Sequence, residues 1–303
     1  MTPLEIENRA GLSRATCGWK RPQLPLEAVR RYWRDVHSPA IARRAGVYDY
    51  RHFQFDPVNP ALLPDVAGVD YACPAAQQLM WLSDVRYLDE GGLAAFGASP
   101  CGDVKTQLLG DIELIVDKST TYRSVGTNTR TLIDRCASAT PQGIPSTPAF
   151  GLFFRARAPE AEFRSYLRSL AQRWAQAAGI VRLRFSLFDV PDMEAERKAG
   201  YPIKTHPLDQ QYQAWIDLVL NDERASSALL GSADAGEFRT HVRAVHAYPV
   251  AQCYTFNYGG LPTLVGLRGF AAWSAIEDLG GNNHKDPGLL TWMYGPVVSG
   301  GSG

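Results

Sequence analysis

One histidine stands on an amphipathic helix among residues suited to proton transfer. In YWRDVHSPAIARR, His37 follows Trp33 by about one helical turn, and the apolar residues of the segment recur at three- and four-residue steps. A neutral imidazole on the face turned toward a sheet is able to act as general base on a phenol or an activated C–H. We therefore predict His37 as the lead base. The alternative is a partly buried histidine whose ring binds a backbone carbonyl.

The strand after this helix carries a second candidate group. Alternation over residues 47–55 places Tyr48, Tyr50 and His52 on one face, which either lines a pocket or is an exposed face or subunit contact. In a pocket, a tyrosine hydroxyl donates a hydrogen bond to a developing oxyanion while His37 or His52 moves the proton. We predict His37, His52 and Tyr48 as catalytic.

Further candidates lie in the second half of the chain. His246 and Tyr248 stand two apart on a predicted strand and so share a face. Lys204 and His206 lie in a proline-flanked loop, which is either a surface loop or a substrate contact. We predict the following substrate-binding residues: Trp33, Tyr50, Trp81, His246, Tyr248 and Trp215.

No motif for a metal or a phosphate group occurs in the sequence. His241 and His246 are five apart, which fits neither one helix face nor one strand face, and no HExxH pattern exists. A phosphate-binding glycine loop and a GxSxG serine elbow are also missing. We predict a protein without metal or cofactor.

The chain contains two similar segments. Residues 32–56 and 166–189 both run from an amphipathic helix into a strand ending Phe-Asp, and QQLMWLSDV is similar to QYQAWIDLV, so that Trp81 and Trp215 are 134 positions apart. This spacing predicts two tandem subdomains of one fold. The second segment offers no histidine near Ala171, the position that corresponds to His37.

In each half of the chain, the residue pattern predicts the order strand, helix, strand, strand, helix, strand. This order is ferredoxin-like. In the first half we expect these elements at 12–19, 25–44, 47–55, 77–82, 84–98 and 110–125. In the second half we expect them at 150–155, 159–178, 181–188, 212–220, 222–238 and 242–255, with a closing helix over 262–279.

The predicted fold class is α+β, with two tandem ferredoxin-like units packed sheet to sheet as a pseudo-dimeric α+β barrel. The boundaries are 1–136 for the first unit, 137–148 for a Pro- and Ser/Thr-rich linker, 149–296 for the second unit and 297–303 for a flexible tail. The space between the sheets is the expected small-molecule pocket.

Composition narrows the possible partners. The 303 residues contain 31 basic and 31 acidic side chains, so we expect neither nucleic acid nor an anionic membrane as a partner. No stretch reaches the roughly 20 apolar residues of a membrane span, and a cytoplasmic location is the default. An internal pseudo-dimer is compatible with a monomer or a homodimer.

The segment RYWRDVHSPAIARRAGVYDY resembles the EthD-like family of the dimeric α+β barrel superfamily, through Tyr32, Trp33, His37, Pro39 and Gly46. The resemblance implies cofactor-free decarboxylation, cyclisation or oxygenation of an aromatic or polyketide-like molecule. We expect a lyase or isomerase. The alternatives are a haem protein of a related tandem-barrel branch, with His206 or His246 as axial ligand, and a non-catalytic small-molecule binding protein.

Overall fold

The computed structural model describes residues 1–192, 194, 207–231 and 234–294. A short helix, α1 (Pro3–Asn8), precedes the first unit. The first unit then consists of β1 (Leu12–Lys20), α2 (Leu26–Tyr32), a π-helical turn (Trp33–His37), α3 (Ser38–Ala42), β2 (Asp49–Phe55), β3 (Trp81–Tyr87), α4 (Glu90–Ala98), α5 (Gly102–Ile115) and β4 (Val116–Val125). Its antiparallel strands lie in the order β4-β1-β3-β2, which is the ferredoxin-like arrangement.

Two short strands connect the units, β5 (Thr129–Asp134) and β6 (Gln142–Gly143). The second unit consists of β7 (Ala149–Ala156), α6 (Glu160–Ala175), β8 (Ile180–Leu187), β9 (Ala214–Leu220), α7 (Ala235–His241) and β10 (Val242–Tyr258). Its strand order, β10-β7-β9-β8, matches that of the first unit. The chain ends with β11 (Leu261–Pro262), α8 (Leu264–Arg268), α9 (Phe270–Asp278) and α10 (Pro287–Tyr294).

Two long stretches of chain join the sheets into a barrel. The first part of β10 pairs with β7, and its later part pairs with β2. In the same way β4 pairs with β1 and leads through the turn Gly126–Asn128 into β5, which pairs with β8. The predicted fold class, two ferredoxin-like units forming a pseudo-dimeric α+β barrel, is confirmed.

Three predicted elements of the first unit begin at the wrong residue. The third strand occupies Trp81–Tyr87 rather than residues 77–82, and Asp84, expected to begin a helix, points into the barrel, where Arg184 binds it at 2.5 Å. A buried charge breaks the apolar pattern by which a strand is recognised. The segment from residue 110 is helical as far as Ile115, because α5 buries Leu109, Ile112 and Ile115 at three-residue spacing.

Buried aromatic side chains fill part of the space between the sheets, where the sequence analysis expected a pocket. One part holds rings such as Phe53, Phe55, Phe153, Trp215 and Tyr248, and the Phe55 and Phe153 centroids are 5.7 Å apart. Among the described residues, side chains therefore fill this part of the barrel and no space for a ligand is left in it.

The remaining interior holds buried ion pairs. Glu7 of α1 is fully buried and its carboxylate binds Arg182 at 2.8 Å, and Arg182 binds Asp217 at 2.8 Å. Burial acts to raise the pKa of Glu7, but the charges of Arg182 and Arg51 outweigh it and hold the pKa well below its usual range. The helix α1, which the sequence analysis missed, thus closes this part of the barrel.

The predicted linker contains a short strand that pairs with the later part of β10. Residues Gln142–Gly143 form β6 on β10, and the Gln142 side chain donates to the carbonyl of Thr255 at 2.8 Å. The boundaries at 136/137 and 148/149 stay predictions, and the predicted tail, 297–303, lies outside the described residues.

Candidate functional site

A cavity of about 90 Å³ lies in the first unit between the sheet and its helices. Its polar floor comes from β1, β3 and β4, and its apolar roof comes from α3, α4 and α5. The lining residues that matter below are Arg14, Thr16, Trp33, His37, Tyr50, Trp81, Ser83, Ser119 and Thr121. The cavity is therefore outside the barrel, on the helix side of the first sheet.

His37 lines this cavity and forms a pair with an aspartate. Its Nδ1 lies 2.9 Å from Asp111 Oδ2 and 3.0 Å from Oδ1, and only 5% of the histidine is exposed. Asp111 also hydrogen-bonds Tyr32, and burial, followed by the charge of Asp111, raises the pKa of that phenol. The carboxylate thus holds the ring by Nδ1, and Nε2 is the ring nitrogen that Asp111 does not bind.

The backbone around His37 is adapted to this position. The N–H of Ser38 binds the carbonyl of Trp33, five residues back, so the helix widens into a π turn. Pro39, which follows, has no N–H to continue the regular ladder. The turn places the Trp33 and His37 ring centroids 4.1 Å apart.

Three predicted substrate-binding residues line the same cavity. Trp33 and Trp81 lie side by side with centroids 4.8 Å apart. Tyr50 donates to Ser38 Oγ at 2.8 Å, and burial raises its pKa to about 12. Its hydroxyl therefore stays protonated at neutral pH and is engaged by Ser38.

The other two predicted catalytic residues are buried but do not line this cavity. His52 is fully buried with Nδ1 3.1 Å from Ser83 Oγ, and its ring stacks on Trp33 at 6.3 Å. Burial lowers the pKa of His52 to about 3, so it is neutral at physiological pH. Tyr48 donates its hydroxyl to the carbonyl of Ile6 at 2.9 Å, which directs it toward α1.

The predicted second-unit residues lie together in the barrel interior, apart from the cavity. His246 Nδ1 is 2.8 Å from the hydroxyl of Tyr212, and Tyr248 lies 3.4 Å from the same hydroxyl. Burial lowers the pKa of His246 to about 4. Trp215 packs edge-on against Phe53 with centroids 5.5 Å apart. Among the described residues, these side chains form a packed cluster.

Two candidate site residues of the second unit were predicted in a loop, and the structure does not describe them. Lys204 and His206, the latter a predicted haem ligand, are both outside the described residues. Within the described ranges, no group of three or more His, Cys, Asp or Glu side chains is placed to hold a metal ion. No described helix is both long and apolar enough to cross a membrane.

Asp111 and the hydroxyl-bearing floor are the functional candidates that the sequence analysis missed. Asp111 lay in a stretch predicted as strand, where its helical spacing from Leu109 and Ile112 was not considered. Thr16 and Thr121 face each other across β1 and β4, with hydroxyls 3.0 Å apart. These threonines alternate along their strands with Ala15, Cys17 and Tyr122, which face the barrel. That alternation was the signal that could have placed Thr16 and Thr121 on the helix side of the sheet.

Among known proteins, the chain is similar only to solved structures, through its fold. No family model and no curated protein sequence matches the chain. The "putative monooxygenase" of Fusobacterium nucleatum is 8% identical, with a TM-score of 0.47 over 84% of this chain and 97% of its own. That of Lactobacillus acidophilus is 9% identical, with a TM-score of 0.43 over 82% and 98%. An "anthrone oxidase-like protein" is 11% identical, with a TM-score of 0.48 over 82% and 94%.

Proposed function

We propose that this protein is an enzyme that removes a proton from a small molecule held in the first-unit cavity, with His37 as general base. The observation that carries the proposal is the pair formed by His37 and Asp111 at the wall of a cavity whose described lining contains no other histidine and no carboxylate. An ionised carboxylate only accepts hydrogen bonds, so the proton of a neutral His37 lies on Nδ1 and the lone pair lies on Nε2. Asp111 thereby orients the ring and stabilises the imidazolium that forms on proton transfer.

The walls of the cavity indicate the class of substrate. Trp33 and Trp81 offer aromatic faces, whereas Thr16, Thr121 and Arg14 bring hydroxyl groups and a guanidinium to the floor. Such a site suits a flat apolar molecule with oxygens along one edge. We infer an aromatic or polyketide-like compound with a carbonyl or phenol group, whose enolate or phenolate the floor donors stabilise.

The proposed reaction class is that of a lyase or isomerase working without a cofactor, as in the EthD-like resemblance. Proton abstraction next to a carbonyl begins decarboxylation, cyclisation and isomerisation alike, and a general base at Nε2 of His37 suffices for that step. The names of the similar structures, putative monooxygenases, add one outcome to the test. A carbanion formed in the cavity that reacts with oxygen would be detected as oxygen consumption.

The test is hydrogen exchange, which needs no knowledge of the natural substrate. The protein is incubated in D₂O with cyclic 1,3-diketones and 1,3-dihydroxybenzenes, and loss of the acidic C–H signal is followed by proton NMR. We expect catalysed exchange that falls about 10²- to 10⁴-fold in His37→Ala. The control is His284→Gln, because His284 is exposed on the far C-terminal segment.

Two results would contradict the proposal. One is exchange that survives His37→Ala while circular dichroism shows a folded protein. The other is tight binding of a probe, equal in wild type and His37→Ala, without exchange or oxygen uptake, which would make the protein a carrier.

A further inference from the structure

A buried arginine without a carboxylate partner lies at the wall of the first-unit cavity. Arg44 follows α3 by two residues, lines the cavity and is only 4% exposed. No described aspartate or glutamate binds it, whereas the buried Arg86 and Arg182 both have carboxylate partners. Taking a guanidinium out of water costs free energy unless other groups replace the water. The described residues therefore supply Arg44 with no anion.

The end of α4 offsets part of this cost. Arg44 Nε donates to the carbonyl of Ser99 at 2.5 Å, and Nη2 donates to the carbonyl of Phe96 at 2.6 Å. The guanidinium carbon lies 3.6 Å from the centroid of the Phe96 ring, which is a cation–π contact. A cation also interacts favourably with the dipole at the C-terminal end of a helix. These contacts fix the position of the guanidinium without neutralising its charge.

The third nitrogen of Arg44, Nη1, has no protein partner. It makes no hydrogen bond with a described residue, and it is not among the unpaired atoms that packing seals from water. A guanidinium whose other two nitrogens are already bound has a fixed orientation, so little entropy is lost when the third nitrogen binds. An acceptor in the cavity is a partner that Nη1 is free to bind.

The other charges at the cavity favour an anion as this acceptor. Arg14 of β1 also lines the cavity, and the described lining contains no carboxylate. Asp111, beside the cavity, is bound to His37. Two guanidinium groups without a carboxylate among them create a positive potential, which attracts a negatively charged ligand.

Arg44 and His37 lie toward opposite ends of the cavity. The phenyl ring beneath Arg44 packs edge-on against Tyr87, the last residue of β3, with centroids 5.4 Å apart. His37 lies against Trp33, which packs on Trp81, the first residue of β3. The ends of this strand are about 20 Å apart. The two side chains are therefore suited to different groups of one ligand.

We propose that Arg44 binds a carboxylate of the ligand, so that the substrate is an aromatic or polyketide-like carboxylic acid. The inference rests on the proposed function for the position of the ligand and adds the class of its charged group. Nη1 donates to a carboxylate oxygen, and the opposite charges attract each other. The phenol or acidic C–H lies at the other end, next to His37. The carboxylate stays ionised and holds the ligand in this direction.

The first test compares two probes that differ in charge. They are 6-hydroxy-2-naphthoate and 6-hydroxy-2-naphthamide, which carry a phenol at one end and an ionised or a neutral acceptor at the other. Binding to the full chain at pH 7 is measured by isothermal titration calorimetry. We expect the acid to bind about 10- to 100-fold more tightly, because hydrogen bonds between charged groups are stronger than those to neutral groups. Equal affinities, or no binding of the acid, would overturn the proposal, and the comparison needs no variant.

The second test is Arg44→Met, which keeps an apolar stem and removes the charge. We expect the preference for the acid to fall about 10-fold or more. Arg44→Lys keeps a cation and should retain part of the preference. The matched control is Arg43→Met, because the neighbouring Arg43 is exposed and donates to the carbonyl of Leu267; its preference should equal that of wild type. An undiminished preference in a folded Arg44→Met would show that Arg44 serves only as a cap of α4.

The result is separable from that of the proposed function, because binding is measured without turnover. A preference for the acid that depends on Arg44, in a protein that catalyses no hydrogen exchange, would support the carboxylate site and contradict the general base. Hydrogen exchange that depends on His37, together with equal affinities for the acid and the amide, would contradict the carboxylate site and support the general base.

Discussion

The two units share one strand order but differ in the sheet face that lies under the helices. The cross-strand register aligns the sheets, because Arg51 lies opposite Asp84 and Arg184 lies opposite Asp217. On this alignment Arg14, Thr16, Tyr50, His52, Gln54, Ser83, Ser119 and Thr121 of the first sheet correspond to Phe150, Leu152, Leu183, Phe185, Leu187, Ile216, Val245 and Ala247 of the second. Each polar residue has an apolar counterpart.

The apolar face is what packing alone requires. In the second unit, Leu167, Leu170 and Trp174 of α6 cover that face as one continuous core. Polar groups in the same place cost free energy unless they find partners. The polar face in the first unit, together with its cavity and His37, departs from what packing favours, and the proposed ligand site rests on this departure.

Exchanging one residue of the apolar face for its polar counterpart is expected to have the largest effect on stability. Leu152 is fully buried in the second core, and Leu152→Thr removes apolar contacts and buries a hydroxyl. We expect the free energy of unfolding to fall by about 3 kcal/mol, measured by urea denaturation. Leu152→Met, which keeps the volume, is the control and should cost less than about 1.5 kcal/mol. Equal losses in both variants would show that the polarity of the face does not matter.

The pair that distinguishes the first unit is tested by Asp111→Asn. The amide keeps the size of the side chain but no longer restricts the ring proton to Nδ1 of His37. We expect the exchange rate to fall about 10- to 100-fold, as when a partner that orients a histidine is lost. The control is Asp103→Asn, because Asp103 is exposed in the first turn of α5. An unchanged rate in Asp111→Asn would remove the carboxylate from the proposed mechanism.

The alternation of residues 47–55 was sufficient to predict which side chains share a face, because a strand has a period of two. The structure shows Tyr50, His52 and Gln54 toward the helices and Phe53 and Phe55 toward the barrel. The sequence did not reveal which side held the cavity, since both faces of this strand are buried.

The two units have the same strand order, but one landmark of the predicted repeat is wrong. Trp81 lies opposite Gln54, whereas Trp215 lies opposite Ser186, so the two tryptophans differ in register by one residue. A one-residue shift turns a side chain to the other face of a sheet. Trp81 thus lines the cavity while Trp215 packs inside the barrel, a difference that sequence similarity alone conceals.

His52, whose counterpart is Phe185, makes the first unit sensitive to acid. Its pKa is about 3 in the folded protein and about 6.5 unfolded, so below pH 6.5 the unfolded chain binds a proton that the folded chain does not. Stability is therefore lost as pH falls from 6.5 toward 3. Between pH 7.5 and 5.5 this loss amounts to about 1.4 kcal/mol.

His52→Phe should lose less stability over that interval than wild type, by about 1.4 kcal/mol. Urea denaturation of both proteins at the two pH values measures the difference. The comparison of slopes is informative even if the substitution lowers stability at pH 7.5, because only the change with pH is used. Parallel losses in the two proteins would mean that His52 is protonated in the folded state.

Giving the first sheet the residues of the second should stabilise the protein and remove its function. Thr16→Leu with Thr121→Ala copies Leu152 and Ala247 and removes both partners of one hydrogen bond at once. Because apolar surface replaces a polar floor, we expect a gain of about 1 kcal/mol in the free energy of unfolding and weaker binding of the diketone probe. Thr16→Leu alone is the matched control, since it leaves the Thr121 hydroxyl without that partner and should be less stable than the pair. A double variant that binds the probe as tightly as wild type would show that the hydroxyls of the floor serve the structure and not the ligand.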